Sequence, residues 1–129
     1  MQFHLDPSSG VATYQQLVQQ VHQALQLGLL EPGDQLPTAQ QVVASLAINP
    51  NTVLKAYRDL EREGLVRPRP GLGTFVIGQL PRTDPAAQAR FRKSMTTWLR
   101  SARAAGLSAK EIEAIYRTAF RDCFAEDVA

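Results

Sequence analysis

Apolar residues recur every three or four positions along several stretches of the chain, and turn residues separate one stretch from the next. From about Ala12 to Leu27, Tyr14, Leu17, Val18, Val21 and Leu25 form one helical stripe. The other face is a run of glutamines, and Gly28 is the expected stop. Glu31-Pro32-Gly33-Asp34 has proline then glycine at the centre of a type II turn. Leu36 and Pro37 lead into Thr38-Ala39-Gln40-Gln41, a capping box with Thr38 as N-cap and Gln41 reaching back. It opens a short helix over about Ala39 to Leu46 that buries Val42, Val43 and Leu46. After a turn at Ala47-Ile48-Asn49, a third helix is marked at both ends. Asn49 suits the N-cap, Pro50 the first helical position, and Gly64 the left-handed ending. Val53, Tyr57 and Leu60 form its thin apolar stripe, while Asn51, Thr52, Lys55, Arg58 and Arg62 hold the opposite face.

The pattern then turns β-rich. Leu65-Val66-Arg67-Pro68-Arg69 and Thr74-Phe75-Val76-Ile77 flank the turn Pro70-Gly71-Leu72-Gly73, which predicts a hairpin. Pro68 and Pro70 donate nothing to a ladder, so that strand is an edge, and Arg67 and Arg69 share one of its faces. Helical spacing returns after Asp84-Pro85, with Phe91, Met95, Trp98, Leu99 and Ala102 as the stripe and Gly106 as the stop. Ser108 and Glu111 form a second capping box, with Leu107 and Ile112 as its hydrophobic staple. The last helix is expected to bury Ile112, Ile115, Tyr116, Ala119, Phe120 and Cys123, and the final few residues to fray. Residues 1–11 form an irregular lead-in in which Phe3 and Leu5 make a short extended piece.

Two short helices, a tight turn between them and a hairpin with arginines beside its tip make a winged helix-turn-helix. The expected fold is mainly α with a small β-hairpin. A winged domain covers residues 1–78, a linker 79–84, and a helical hairpin 85–129. One helix pair has no third layer to hide both stripes from water, and a second copy of the same pair is the most economical cover. A homodimer through a four-helix interface follows as the expectation.

Charge sharpens the picture. The net charge of +2 hides an asymmetry, because residues 1–49 contain no Lys or Arg. Residues 50–83 carry six basic side chains against three acidic ones, and Arg90, Arg92, Lys93, Arg100 and Arg103 cluster later. A polyanion would be met from the middle of the chain onward. Composition is that of an ordinary soluble protein, with no apolar run long enough to span a membrane and no secretion signal at the start. The single cysteine, Cys123, fits a reducing cytoplasm. No nucleophile–base pair, metal-ligand spacing or phosphate loop stands out, so neither an enzyme nor a cofactor is expected. His22 reads as a surface or half-buried histidine, not a metal ligand.

Residues 12–78 resemble the GntR family of winged-helix transcription regulators. Gly33-Asp34 with Leu36-Pro37-Thr38, the run Asn49-Pro50-Asn51-Thr52-Val53, and Gly71-Leu72-Gly73-Thr74-Phe75-Val76 carry the resemblance in order and at the right spacing. The short segment after the wing is similar to the YtrA-like subfamily with its two-helix dimerisation tail. That resemblance implies a repressor of its own operon, often one encoding an ABC transporter. One departure stands out: where the family commonly has an arginine after the Leu-Pro-Ser/Thr element, this chain has Gln40. Glutamine can bond a phosphate or read adenine but brings no charge.

The expected function is sequence-specific binding of double-stranded DNA. Asn49, Asn51 and Thr52 would lie near base edges, with Lys55, Arg58 and Arg62 on phosphates. Thr38 and Gln40 would add contacts from the second helix, and Arg67, Arg69 and Gly71 from the wing. The rival reading is a winged-helix protein–protein module whose basic surfaces bind an acidic partner. A large effector cavity is not expected in a two-helix tail, which leaves a small-molecule effector open. Operator, regulated genes and sign of regulation stay unread.

Overall fold

Local signals carry most of the helix boundaries. A computed structural model describes residues 1–125. Its elements are α1 (Thr13–Gln26), α2 (Ala39–Leu46), α3 (Pro50–Arg62), β1 (Val66–Arg69), β2 (Gly73–Val76), α4 (Pro85–Ala104) and α5 (Ala109–Phe124). Both capping boxes form, with the hydroxyls of Thr38 and Ser108 accepting from the N–H groups of Gln41 and Glu111. The expected fraying at the end of the chain lies outside the described residues. The chain divides into two compact units, Met1–Pro85 and a second beginning at Ala86.

In the first unit α3 lies against α1, α2 and β1. Leu17, Val21, Leu36, Val53, Leu60, Val66 and Val76 are fully buried around it. β1 and β2 pair antiparallel, with Val66 opposite Val76 and Arg67 opposite Phe75. The hairpin also has a third partner. Leu36 N–H donates to the Thr74 carbonyl at 2.9 Å, Val76 N–H to Asp34 at 2.8 Å, and Gly33 N–H to Val76 at 2.8 Å. Residues 33–36 therefore run along β2 on the side away from β1. Four residues with one apolar position show no alternation, so the pattern alone did not reveal this pairing.

The glutamines of α1 are only partly the solvated face expected of them. Gln16 is buried; its side chain accepts from Asp6 N–H and donates to the carbonyls of Asp6 and Val11. Gln20 accepts from His4 N–H and donates to the His4 carbonyl. These side chains satisfy backbone groups that no strand pairs, and so hold Phe3 in the core. The connector 79–84 groups with the same unit. Leu80 packs against the core, and the Arg82 guanidinium lies over Gly28, 3.4 Å from the Leu27 carbonyl at the end of α1. A cation there suits the negative end of the helix dipole.

Two positions test the packing. A Cβ on Gly78 would stand 2.6 Å from the Gly64 carbonyl oxygen and 3.2 Å from Leu65 Cα, both backbone atoms. Gly78→Ala is therefore expected to destabilise the winged unit by about 1–3 kcal/mol, read by thermal or urea unfolding. An unchanged midpoint would mean that the strand end shifts freely. The buried Tyr57 donates its hydroxyl to the Pro37 carbonyl and so ties α3 to the start of α2. Burial pushes its phenol well above the ordinary value, so the folded state holds the proton longer than the unfolded chain does. The resulting stability is whole below about pH 10 and drains away as pH rises beyond it. Tyr57→Phe should cost about 1 kcal/mol at neutral pH and flatten that alkaline loss, as pH-dependent melts would show.

In the second unit the stripes stand open in the single chain, as a lone helix pair requires. Leu107 N–H donates to the Ala102 carbonyl at 3.2 Å and closes the end of α4, and α4 and α5 are not among the extensively packed element pairs. Ala102 is the buried member of the two stripes, at 8% exposure. Ile112 is half-buried, while Ile115, Tyr116, Ala119, Phe120 and Cys123, expected to be buried, face solvent. So do Phe91, Met95, Trp98 and Leu99, with Phe91 64% exposed. Tyr116, Phe120 and Phe124 stack along α5, their ring centroids 5.7 and 4.7 Å apart. Two helices packed this sparsely cannot bury each other's stripes.

Candidate nucleic-acid interface

The turn between α2 and α3 sets the surface that α3 offers. Ala47 ends α2 in the left-handed region at φ 53°, which turns the chain sharply into Asn49. The Asn49 side-chain oxygen accepts from Asn51 N–H at 2.8 Å. That oxygen holds the cap, while the amide NH2 of Asn49 is left to donate outward. Thr38 is likewise engaged: its hydroxyl accepts from Gln41 N–H at 3.1 Å, and its own N–H donates to Gln41 Oε1 at 2.9 Å. Gln40, on the first turn of α2, is exposed.

Along α3, Val53, Ala56, Tyr57 and Leu60 face the core. Asn51, Lys55, Arg58 and Arg62 are exposed as the spacing predicts, whereas Thr52 is half-buried on the flank. The basic side chains are not equivalent. Lys55 lies over the Tyr14 ring, 3.9 Å from its centroid, and leans toward α1. Arg62 meets Asp59 at 3.3 Å in an exposed pair of little energetic weight. Arg58 has no ion-pair or hydrogen-bond partner among the described residues. Of the acids on this helix, Glu63 pairs with His22 of α1 at 2.8 Å, which draws its charge to the side. Leu54, which the stripe analysis passed over, is 40% exposed on the same outer surface.

The wing is braced from within. Arg69 lies over the Phe75 ring at 4.7 Å, so its guanidinium is held along the sheet. Arg67 is exposed and has no partner among the described residues. Gln35 donates to the Leu72 carbonyl at 2.9 Å and fastens the tip to the third strand segment. Gly73, at φ 125°, passes so close to Gln35 that a Cβ would overlap its amide. Gly71, also at positive φ, and the exposed Leu72 form the apex. Gln35 and Leu54 are thus features of this surface that sequence reading missed: one looks like loop polarity, the other like a stray apolar position.

A groove of about 490 Å3 opens between Met1–Phe3 and α2, lined in part by Leu36, Pro37, Gln41, Val42 and Leu46. Cavity space in this chain is therefore found in the winged unit, although the expectation had considered only the tail.

Comparison with known proteins fits this geometry. Residues 13–76 match the model of the gntR family of bacterial regulatory proteins. The HTH-type transcriptional repressor YtrA of Bacillus subtilis is 40% identical over 72 residues, 56% of this chain and 55% of that protein, so the match spans little more than half of the repressor. An HTH-type transcriptional regulator of Mycobacterium tuberculosis is 36% identical over 104 residues, which cover 81% of this chain and 82% of the other. Among solved structures, the AraR DNA-binding domain in complex with operator ORX1 superposes with a TM-score of 0.51 at 26% identity. It covers 57% of this chain and 92% of that domain.

Proposed function

This chain belongs to the GntR family of bacterial regulatory proteins and is a DNA-binding transcriptional regulator, and from that premise we propose that it acts as a homodimeric repressor. The observation that carries the DNA contact is the outer face of α3. Its capped N-terminus presents Asn51, its middle presents Arg58, and the wing presents Arg67, neither arginine paired among the described residues. In this reading Asn51 and the Asn49 amide meet base edges in the major groove, and Thr52 supports them from the flank. Arg58, Arg62 and Lys55 hold phosphates; Thr38 and Gln40 contact the backbone from α2; Arg67, Arg69 and the Gly71 tip reach the neighbouring backbone or groove.

Dimerisation rests on the second unit. Trp98 and Leu99 on α4, and Ile115, Tyr116 and Phe120 on α5, are apolar, helically spaced and exposed. A second copy covers them most simply, and a two-fold dimer calls for a roughly palindromic operator. Repression follows the character of the B. subtilis relative, and the setting proposed, from the family resemblance, is the chain's own operon, for example one encoding an ABC transporter.

Fluorescence anisotropy against the DNA upstream of the chain's own gene, with a scrambled duplex as control and salt varied, tests the whole reading. Tight, salt-steep binding to the native fragment alone is expected. Equal weak binding to both duplexes would favour an acidic protein partner for the basic surfaces.

A further inference from the structure

The apolar residues of α3 divide sharply. Val53, Ala56 and Leu60 are wholly buried and Tyr57 nearly so, yet Leu54 is 40% exposed and stands outside the core cluster. It follows Asn51 by three residues and precedes Arg58 by four, so the three side chains form one continuous strip on the outer face. Lys55, the next residue, is drawn over Tyr14 toward α1 and leaves the Leu54 flank of the helix uncovered.

We propose that Leu54 is a specificity-determining residue that reads a thymine through its C5-methyl group in the major groove; this rests on α3 being the DNA-reading helix. A leucine carries no donor, acceptor or charge, so it can neither hold a phosphate nor bond a base edge. The apolar feature that the major groove offers is the thymine methyl. Cytosine at the same place presents a bare C5–H, and a purine presents N7. The isobutyl group therefore gains by burial against thymine alone. Asn51, one turn earlier, has the paired acceptor and donor that match adenine N7 and N6. Side by side, the two residues prescribe a stretch rich in A and T under the first turns of α3.

The test starts by selecting a binding sequence from random duplexes with the full chain, then replaces each thymine of that sequence by uracil, which lacks only the methyl. Wild-type protein is expected to lose about fourfold in affinity at one thymine per half-site, the worth of one buried methyl. Leu54→Ala should bind the selected duplex more weakly and show no penalty for uracil there. Leu54→Met, still apolar and long enough, should keep it. Unchanged thermal midpoints exclude a folding effect. Uracil penalties that are equal in wild type and Leu54→Ala, or absent from both, would overturn the role of Leu54 while leaving DNA reading intact. If no sequence were enriched, the reading of α3 would fail, and Leu54 with it.

Discussion

A chain carrying both Trp98→Asp and Phe120→Asp is expected to be monomeric and to bind a two-half-site operator about a hundredfold more weakly than the parent. The reason is effective concentration. Once one winged unit of a dimer is seated, the second binds intramolecularly, and this gain disappears when the copies separate. Trp98 and Phe120 are 40% and 51% exposed in the single chain and do not belong to the winged core, so their charge costs that core nothing. Placed against a second copy, each aspartate would be a buried, unpaired charge. Sedimentation should show the change of mass, and the thermal midpoint of the winged unit should stay put. Affinity for an isolated half-site should also be preserved. A double variant that remained dimeric would remove these two side chains from the interface; a monomer with undiminished two-site affinity would refute the need for a dimer.

Arg58→Ala is expected to weaken operator binding by about tenfold or more at moderate salt and to lower the salt slope by about one unit per subunit. Arg58 is exposed, lies on the outer face of α3 and has no internal partner among the described residues, so no ion pair must break before it meets a phosphate. Loss of a phosphate contact should weaken all sequences alike and leave the ranking of operator variants unchanged. A reordered ranking would instead place Arg58 on a base. Lys55→Ala should do less, because Lys55 must leave its place over the Tyr14 ring to reach DNA.

Local signals were highly legible. Thr38 with Gln41, Ser108 with Glu111, and Asn49 followed by Pro50 placed three helix starts at their observed residues, because caps act between neighbours in the chain. The stripe Val53, Tyr57 and Leu60 pointed inward for the same reason: helical spacing alone puts those positions on one face. The candidate interface was partly legible. Spacing put Lys55, Arg58 and Arg62 on one surface but could not tell the unpaired Arg58 from Lys55 over Tyr14, since Tyr14 is remote in sequence.

The sequence by itself determined the helices, the hairpin and the kind of surface α3 would carry, because these follow from interactions spanning a few residues. Tertiary structure decided the rest. It laid residues 33–36 along β2, turned Gln16 and Gln20 into fasteners for the lead-in, and set Gln35 beneath the wing tip. It also left Leu54 outside the core. Each of these depends on which distant backbone or side chain lies opposite, and no local period records that.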